Sequence, residues 1–473
     1  MSISLNPYSL LSGQGLDVTS LVNEILNEKS GQLSQWGSEQ SLLRVQAGLL
    51  TTINSDLSSL SDAVASLSDP LGALTTQAAS SSDAAILTAT ADASSLGGTH
   101  SIVVNNLASA GVVYTEAVSG GADVSVLPTG VTSGDLKLQI GGLSGTAADI
   151  QITAGTNDTL TTLASSINQQ SADHGWGIQA AVVSDATGSR LSISSRATGS
   201  PGAVAVAGNT TSLTFKAPIG GTNASLTVDG IPYVSTTNTI AGAISGVTLN
   251  LAGADPGTPV QLTVGPDTAR ITDAVNTFVE AYNRVMADIN SQFKVDPNTN
   301  SEGPLGSDSA LRSLQSILLK DVTYSVAGNS GLVNLASLGI NMNDDGTLTV
   351  GTTASGQTTQ QVLAANPQAF QNFFQNATTA GFANVFHTDL VNLTDPTEGL
   401  INVDLAQNRV QQNDVADSIT NFQDQLATQQ TALTKQFSLV NASLQTYPIL
   451  LQQVTETLAS MSGTTNSGSS RKS

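Results

Sequence analysis

The chain has 473 residues, and its 36 acidic and 15 basic residues give a net charge of −21. Such acidity argues against nucleic acid and anionic membranes as partners, because both attract clusters of Lys and Arg. The absence of cysteine excludes disulfides and thiolate metal sites, and three widely separated histidines argue against a zinc or His-based catalytic site. We therefore predict a structural or assembly protein of about three domains, without cofactor or metal, rather than an enzyme.

Two targeting signals are missing from the sequence. The opening residues MSISLNPYSLLSGQGLDV have neither the basic start nor the apolar run of a secretory signal peptide. No stretch approaches the roughly 18 consecutive apolar residues of a membrane span, so membrane insertion is not expected. The pattern leaves two interpretations open, namely a cytoplasmic protein or a protein exported without a cleaved peptide.

The N-terminal part has the apolar pattern of a long helix. Between Leu43 and Leu67, apolar residues alternate three and four apart almost without interruption, which is the spacing of a coiled-coil or helix-bundle seam. Asp69 and Pro70 end the pattern, because a residue before proline disfavours the helical conformation. The N-terminal seam residues are Val22, Ile25, Leu43, Leu50, Leu57 and Leu60.

The middle of the chain, from about residue 85 to 264, has the pattern of antiparallel strands. Short runs alternate apolar and polar residues, and Gly, Asn, Asp and Pro separate them. The dipeptide Asp229-Gly230 predicts a tight hairpin turn. One helix interrupts the strands, and Asn157 or Asp158 is expected to cap it.

Helical spacing returns at Asp267 and continues to Phe293 along one apolar face. Shorter helices follow, and one of them begins at the cap-and-proline pair Asn366-Pro367. The segment 341–346 superficially resembles a calcium-binding loop, but the loop's twelfth position would be Thr352 instead of glutamate. We therefore predict a turn between two strands, with Asp345-Gly346 at its tip.

The C-terminal region repeats the heptad pattern. Its apolar stripe either forms the core of an intramolecular bundle or faces a partner, and both can hold along one helix. Pro448 falls inside the stripe and is expected to kink the helix or to begin a new one. Gln429 and Gln436 interrupt the stripe, so the outermost helices should be marginal alone and order against a neighbour. The C-terminal seam residues are Ile419, Leu426, Leu433, Phe437, Val440 and Leu444.

These patterns predict an α+β multidomain protein. A terminal coiled-coil or helical-bundle stalk carries antiparallel β-rich head domains, which are inserted between the helical halves. Residues 1–40 and 430–473 are expected to form terminal coiled-coil helices that are mobile in the free protein. The remaining expected parts are a helical stalk domain at 41–75 and 266–429, a β-rich head domain at 76–105 and 200–265, and a second head domain at 106–199.

Three stretches of the sequence resemble one known family. The opening GLDVTSLV at residues 15–22 looks like the family's N-terminal signature, and segment 158–199 is similar to a helix-and-hairpin repeat shared with flagellins. A series of further motifs follows in the family's order between about residues 220 and 444. Lys29-Ser30-Gly31 stands where the family commonly has a proline. The chain thus resembles the flagellar filament cap protein, or hook-associated protein 2, family.

The resemblance implies a structural function that composition does not show. Members of the family sit as a ring, commonly of five copies, at the extracellular distal tip of the bacterial flagellum, which they reach through the flagellar export channel. They retain exported flagellin and promote its folding and polymerisation. The implied partners are further copies of the chain, flagellin, hook–filament junction proteins and a flagellar export chaperone. Two alternatives are a flagellin or junction protein, and a tip adhesin that binds mucin or host glycans.

Overall fold

A computed structural model describes residues 17–142, 145–298, 300–376 and 380–463. The first two residues of the signature and the tail after residue 463 lie outside the described residues. The chain divides into two compact units. We call them the helical unit, with the described residues up to 65, residues 277–356 and those from 376 onward, and the strand unit, with residues 66–276 and 357–375.

Helices dominate both ends of the described chain. Asp17 caps the first helix by accepting a hydrogen bond from the Ser20 backbone N–H, and Ser30 separates that helix from the second. The helices are α1 (Val18–Lys29), α2 (Gly31–Ser68), α3 (Leu160–His174), α4 (Thr268–Phe293), α5 (Ser309–Val322), α6 (Thr359–Ala365), α7 (Pro367–Gln375), α8 (Phe382–Thr394) and α9 (Leu400–Gly463).

The strands pair antiparallel throughout the described part of the chain. They are β1 (Gln77–Ser81), β2 (Leu87–Ala91), β3 (Gly98–Asn106), β4 (Ala110–Tyr114), β5 (Ser133–Ile140), β6 (Thr146–Thr153), β7 (Ile178–Asp185), β8 (Gly188–Thr198), β9 (Val204–Asn209), β10 (Ala224–Val228), β11 (Ile231–Ser235), β12 (Thr239–Ile244), β13 (Val247–Leu251), β14 (Val260–Pro266), β15 (Ile340–Met342) and β16 (Leu348–Val350). Helices at both ends with antiparallel sheets between them confirm the α+β prediction.

The strand unit contains two hydrophobic cores. A five-stranded sheet of order β1-β14-β3-β10-β11 and a three-stranded sheet of order β12-β13-β2 contribute to the first core. The sheets β4-β8-β7 and β6-β5-β9 form the second core together with α3. In both cores the alternation of buried and exposed residues along each strand explains why a period of two in the sequence predicts these strands.

The helical unit has an aromatic and aliphatic core. Phe278 on α4 meets Phe382 and Phe386 of α8 edge-on, with ring centroids 5.8 and 6.0 Å apart. The β15–β16 hairpin closes this core, because the Tyr282 hydroxyl donates to the Gly346 carbonyl at 3.1 Å. The predicted turn at Asp345-Gly346 is therefore confirmed as the tip of a hairpin.

Two local predictions differ from the structure. The cap of α3 is Thr159, whose hydroxyl accepts from the Thr162 backbone N–H, while the Asn157 side chain is bound to the preceding strand and turn. Pro448 neither ends nor restarts α9, which runs on through residue 463. The missing proline N–H and its ring affect one turn, and the long helix on either side continues past it.

Candidate functional site

The N-terminal seam residues point into the interior of the helical unit. Val22, Leu43, Leu50, Leu57 and Leu60 are buried, and Ile25 is half-buried. Burying a leucine side chain contributes about 1.5–3 kcal/mol, so this row contributes substantially to the stability of the helical unit.

Three side-chain contacts fix the register between the terminal helices. The Lys29 ammonium donates to Gln429 Oε1 at 3.0 Å. Trp36 meets Phe422 edge-on, with ring centroids 5.5 Å apart. Further along α2, the Asn54 side-chain amide donates to the Asn402 side chain at 3.2 Å. From the first contact to the third, the residue number rises along α1 and α2 and falls along α9. The N-terminal helices therefore run antiparallel to α9.

The C-terminal seam becomes more exposed along α9. Ile419, Leu426 and Leu433 are half-buried, as are Phe437 and Leu444, whereas Val440 is 48% exposed. In the antiparallel register, the start of α1 lies about level with residue 441, and α9 continues for roughly six turns beyond that level. The last part of the helix therefore extends past the level at which α1 starts.

The continuing end of α9 carries an exposed apolar surface. Its large apolar side chains are between 52% and 68% exposed, and Glu456 is the one charged residue between positions 440 and 463. At 100° per residue, five of the apolar residues share one side of the helix. We call this side the distal stripe; it consists of Tyr447, Leu451, Val454, Leu458 and Met461.

An apolar surface of this kind is unusual on a free protein. Contiguous exposed apolar patches on soluble proteins commonly mark contact sites for other proteins. A helix with apolar residues at i, i+3, i+4 and i+7 suits packing against another helix or into an apolar groove. The sequence pattern identified the stripe, but only the register with α1 shows that it lies past the level of residue 441.

A cavity in the strand unit was not predicted from the sequence. It encloses about 310 Å³ and is lined by Leu96, His100, Asp229, Ile231 and Tyr233, among others. The His100 Nδ1 atom lies 2.8 Å from Asp229 Oδ2, and this hydrogen bond lowers the pKa of the Asp229 carboxyl. The two residues are 129 positions apart in sequence, so no local sequence pattern could predict that they pair.

Two features are absent from the described residues, namely a metal-binding cluster and a membrane-spanning helix. Within the described ranges, no group of three His, Asp or Glu residues is arranged to hold a metal ion. None of the helices in this part of the chain combines the length and apolarity that a bilayer crossing requires. The exposed distal stripe, with its five large apolar side chains, is the candidate functional surface.

Comparisons with known proteins point to one family. The profile "Flagellar hook-associated protein 2 N-terminus" matches residues 14–111, and "Flagellar hook-associated protein 2 C-terminus" matches residues 221–447. Together the two profiles cover more than half of the chain. The matched ranges include α1, α2, the first core of the strand unit and most of the helical unit.

Individual relatives and one solved structure agree with these profiles. The B-type flagellar hook-associated protein 2 of Pseudomonas aeruginosa is 29% identical over 339 residues, which is 64% of this chain and 68% of that protein. A Helicobacter pylori flagellar hook-associated protein 2 is 27% identical over 32% of this chain and 22% of its own length. The crystal structure of the D1-D2-D3 domains of the Escherichia coli flagellar cap protein FliD is 23% identical and aligns with a TM-score of 0.55, over 76% of this chain and 99% of that chain. This last likeness concerns the fold alone.

Proposed function

Because this chain belongs to the flagellar hook-associated protein 2 family, the family of the flagellar filament cap, we propose that it closes the distal tip of the bacterial flagellar filament. There it retains exported flagellin and promotes the folding and polymerisation of flagellin into the filament. The observation that carries this proposal is the distal stripe, an exposed apolar surface along one side of the helix. A protein that acts on the open end of a helical polymer needs such an unfilled contact surface.

The seam has two parts with different roles in this proposal. The buried part, from Val22 to Leu60, packs inside the helical unit and supports α9. The part from Leu433 onward is increasingly exposed and provides the contact with the assembly. This division keeps both interpretations of the heptad pattern, each for its own stretch of helix.

The partners follow from the same proposal. Copies of the chain form a ring, in our proposal of five subunits, that contacts flagellin and, at the start of filament growth, the hook–filament junction proteins. The chain reaches the tip through the flagellar export channel after release from an export chaperone. The absence of cysteine and the low charge density support passage in unfolded form. Mucin or host glycans are the additional ligands that the alternative role as a tip adhesin would require.

Replacing Leu451 by Lys tests the role of the distal stripe. Leu451 is 57% exposed, so the substitution should leave the free protein as stable as before but place a charge in the apolar contact. We expect cells that carry L451K to lose motility and to release unpolymerised flagellin into the medium. Swimming in soft agar and immunoblots of the culture supernatant measure both effects.

The matched control is Gln452→Lys. Gln452 is also exposed and is the next residue along the helix, but its side chain lies on the side opposite the distal stripe. Cells with Q452K should swim normally and retain flagellin. Equal loss of motility in both variants, or normal motility in both, would contradict a contact through the distal stripe.

A further inference from the structure

Pairs of aspartates face each other across helix contacts in the helical unit. In each pair, burial and the neighbouring carboxyl group on another segment together raise the pKa of one aspartate. Two carboxylates in such contact repel each other unless one of them holds a proton. The pairs are Asp56 of α2 with Asp288 of α4, Asp308 at the start of α5 with Asp404 of α9, and Asp321 of α5 with Asp389 of α8.

Asp321 is the most buried member of this set. It is 2% exposed, and neither of its carboxylate oxygens has a hydrogen-bond donor in reach. The Lys320 ammonium lies 3.6 Å from Asp321 Oδ1 but only 3.1 Å from Asp389 Oδ2, so it neutralises Asp389 in preference. The Tyr282 hydroxyl faces the same region but donates to the Gly346 carbonyl. Burial and the contact with Asp389 raise the pKa of Asp321 to about 7.

Asp404 of α9 is paired with Asp308, whose carboxyl group already accepts two backbone hydrogen bonds. Asp308 caps α5, since its Oδ1 atom accepts from the backbone N–H groups of Ala310 and Leu311 at 2.7 and 3.1 Å. The Asp308 carboxyl thus already serves as an acceptor, and Asp404 is the member of the pair whose pKa is raised. The Asp404 Oδ2 atom is buried without a donor, and burial together with Asp308 raises the pKa of Asp404 to about 6.

Asp288 repeats this arrangement on α4. Its Oδ2 atom is buried without a donor, while its partner Asp56 lies 3.6 Å from the Arg284 guanidinium. Asp56 is thus the member of the pair that has a cationic neighbour, and Asp288 is the member that has none among the causes of its pKa shift. Burial and the hydrogen bond to Asp56 raise the pKa of Asp288.

We propose that these three carboxyl pairs form a proton-dependent lock, in which Asp288, Asp321 and Asp404 each hold a proton that joins two segments of the helical unit. With the proton present, each carboxyl donates to its partner across the helix contact. Without the proton, like charges meet at a buried position and loosen the contact. The lock operates on the packing of the chain itself, whatever the assembly to which the chain belongs.

The direction of the pH dependence follows from proton linkage. A carboxyl whose pKa is higher in the folded than in the unfolded protein stabilises the fold fully below its unfolded pKa of about 4. That stabilisation is lost as the pH rises through the folded-state pKa, which is about 6 for Asp404 and about 7 for Asp321. The helical unit should therefore be more stable at pH 5 than at pH 8.

Urea unfolding of the full chain tests the lock. Circular dichroism at 222 nm follows mainly the helical unit, which contains most of the helical residues. Between pH 5 and pH 8 we expect the unfolding equilibrium constant of this transition to rise at least about tenfold, because one pKa unit corresponds to a factor of ten. An unchanged or falling constant would overturn the proposal.

Substitution by Asn separates the lock from ordinary packing. Asparagine has the shape of a protonated aspartic acid and can donate to the partner carboxylate, so D321N and D404N should keep the stability at pH 5 and lose less of it at pH 8. Asp417→Asn, an exposed position on α9, should keep the pH dependence of the unsubstituted chain. Equal pH dependence in all three variants would contradict the proposal.

A direct titration avoids any question of whether the variants fold. Carboxyl carbon resonances of the chain labelled with ¹³C-aspartate, assigned with the same variants, report each midpoint in the unsubstituted protein. We expect midpoints near 7 for Asp321 and near 6 for Asp404. Midpoints below pH 5 for both would show that no proton is shared at neutral pH.

Discussion

Asn283 connects α4 to the β15–β16 hairpin through both ends of its side-chain amide. Its Oδ1 atom accepts from the Leu348 backbone N–H, and its Nδ2 atom donates to the Leu348 carbonyl, each at 2.7 Å. A short hairpin of two three-residue strands has few hydrogen bonds of its own, so this pair of contacts holds it against the helix. Nothing in the sequence predicted the contact, because Asn283 and Leu348 are 65 positions apart.

Replacing Asn283 by Ala should destabilise the helical unit by about 1–3 kcal/mol, since the N–H and carbonyl of Leu348 lose their partners. Asn283→Asp keeps the acceptor for the N–H but sets a carboxylate oxygen against the Leu348 carbonyl oxygen, so it should destabilise the unit as well. Urea unfolding followed at 222 nm measures both changes. Unchanged stability in both N283A and N283D would argue against the two-bond contact.

At the scale of elements, α9 shows which of its features can be predicted from the local sequence and which cannot. Heptad spacing predicted a long C-terminal helix, because the pattern depends only on which residues share one side. The same local reasoning predicted either a kink or a new helix at Pro448, and the structure shows that no new helix begins there. The expected mobility of the terminal helices in the free protein stays a prediction. The sequence also could not show where the partner of α9 ends, since that depends on a contact between distant residues such as Lys29 and Gln429.

Pro448→Ala should stiffen this part of α9. Proline inside a helix is about 3 kcal/mol less favourable than alanine, because it lacks the N–H that would bond to the carbonyl of Leu444. We expect slower amide hydrogen exchange around residues 444–452 in P448A, measured by mass spectrometry on the free protein. Ile449→Ala removes a neighbouring exposed side chain and should leave this exchange unchanged. Faster exchange in P448A would contradict the expectation.

At the scale of the whole molecule, the chain has separate cores in its two units. Composition and the succession of helical and alternating patterns predicted this class of fold, with helices at both ends and antiparallel sheets between them. The proposed division into four parts stays a prediction. The aspartate pairs could not be predicted, because residues such as Asp56 and Asp288 meet only after folding. Spacing along the sequence carries no information about such contacts.

Separate cores predict separate responses to substitution. Leu433→Lys places a charge in the half-buried seam of α9 and should impair motility while the strand unit stays intact. The chain has two tryptophans, so Trp36→Phe leaves Trp176, which packs against the second core of the strand unit, as the single fluorescent reporter. We expect unchanged Trp176 emission in L433K.

Thr431→Lys is the control for L433K, because Thr431 is exposed on the other side of α9. It should affect neither motility nor the emission of Trp176. A shifted emission in L433K alone would show that damage to the seam reaches the strand unit.

The buried carboxyl pairs have a calorimetric consequence. If Asp321 holds a proton near neutral pH only when the chain is folded, folding takes up hydrogen ions from the surrounding solution. The heat of folding then includes the heat that the buffer absorbs or releases as it supplies those ions. Phosphate and Tris, which differ widely in ionisation enthalpy, should therefore give different apparent enthalpies for one and the same transition.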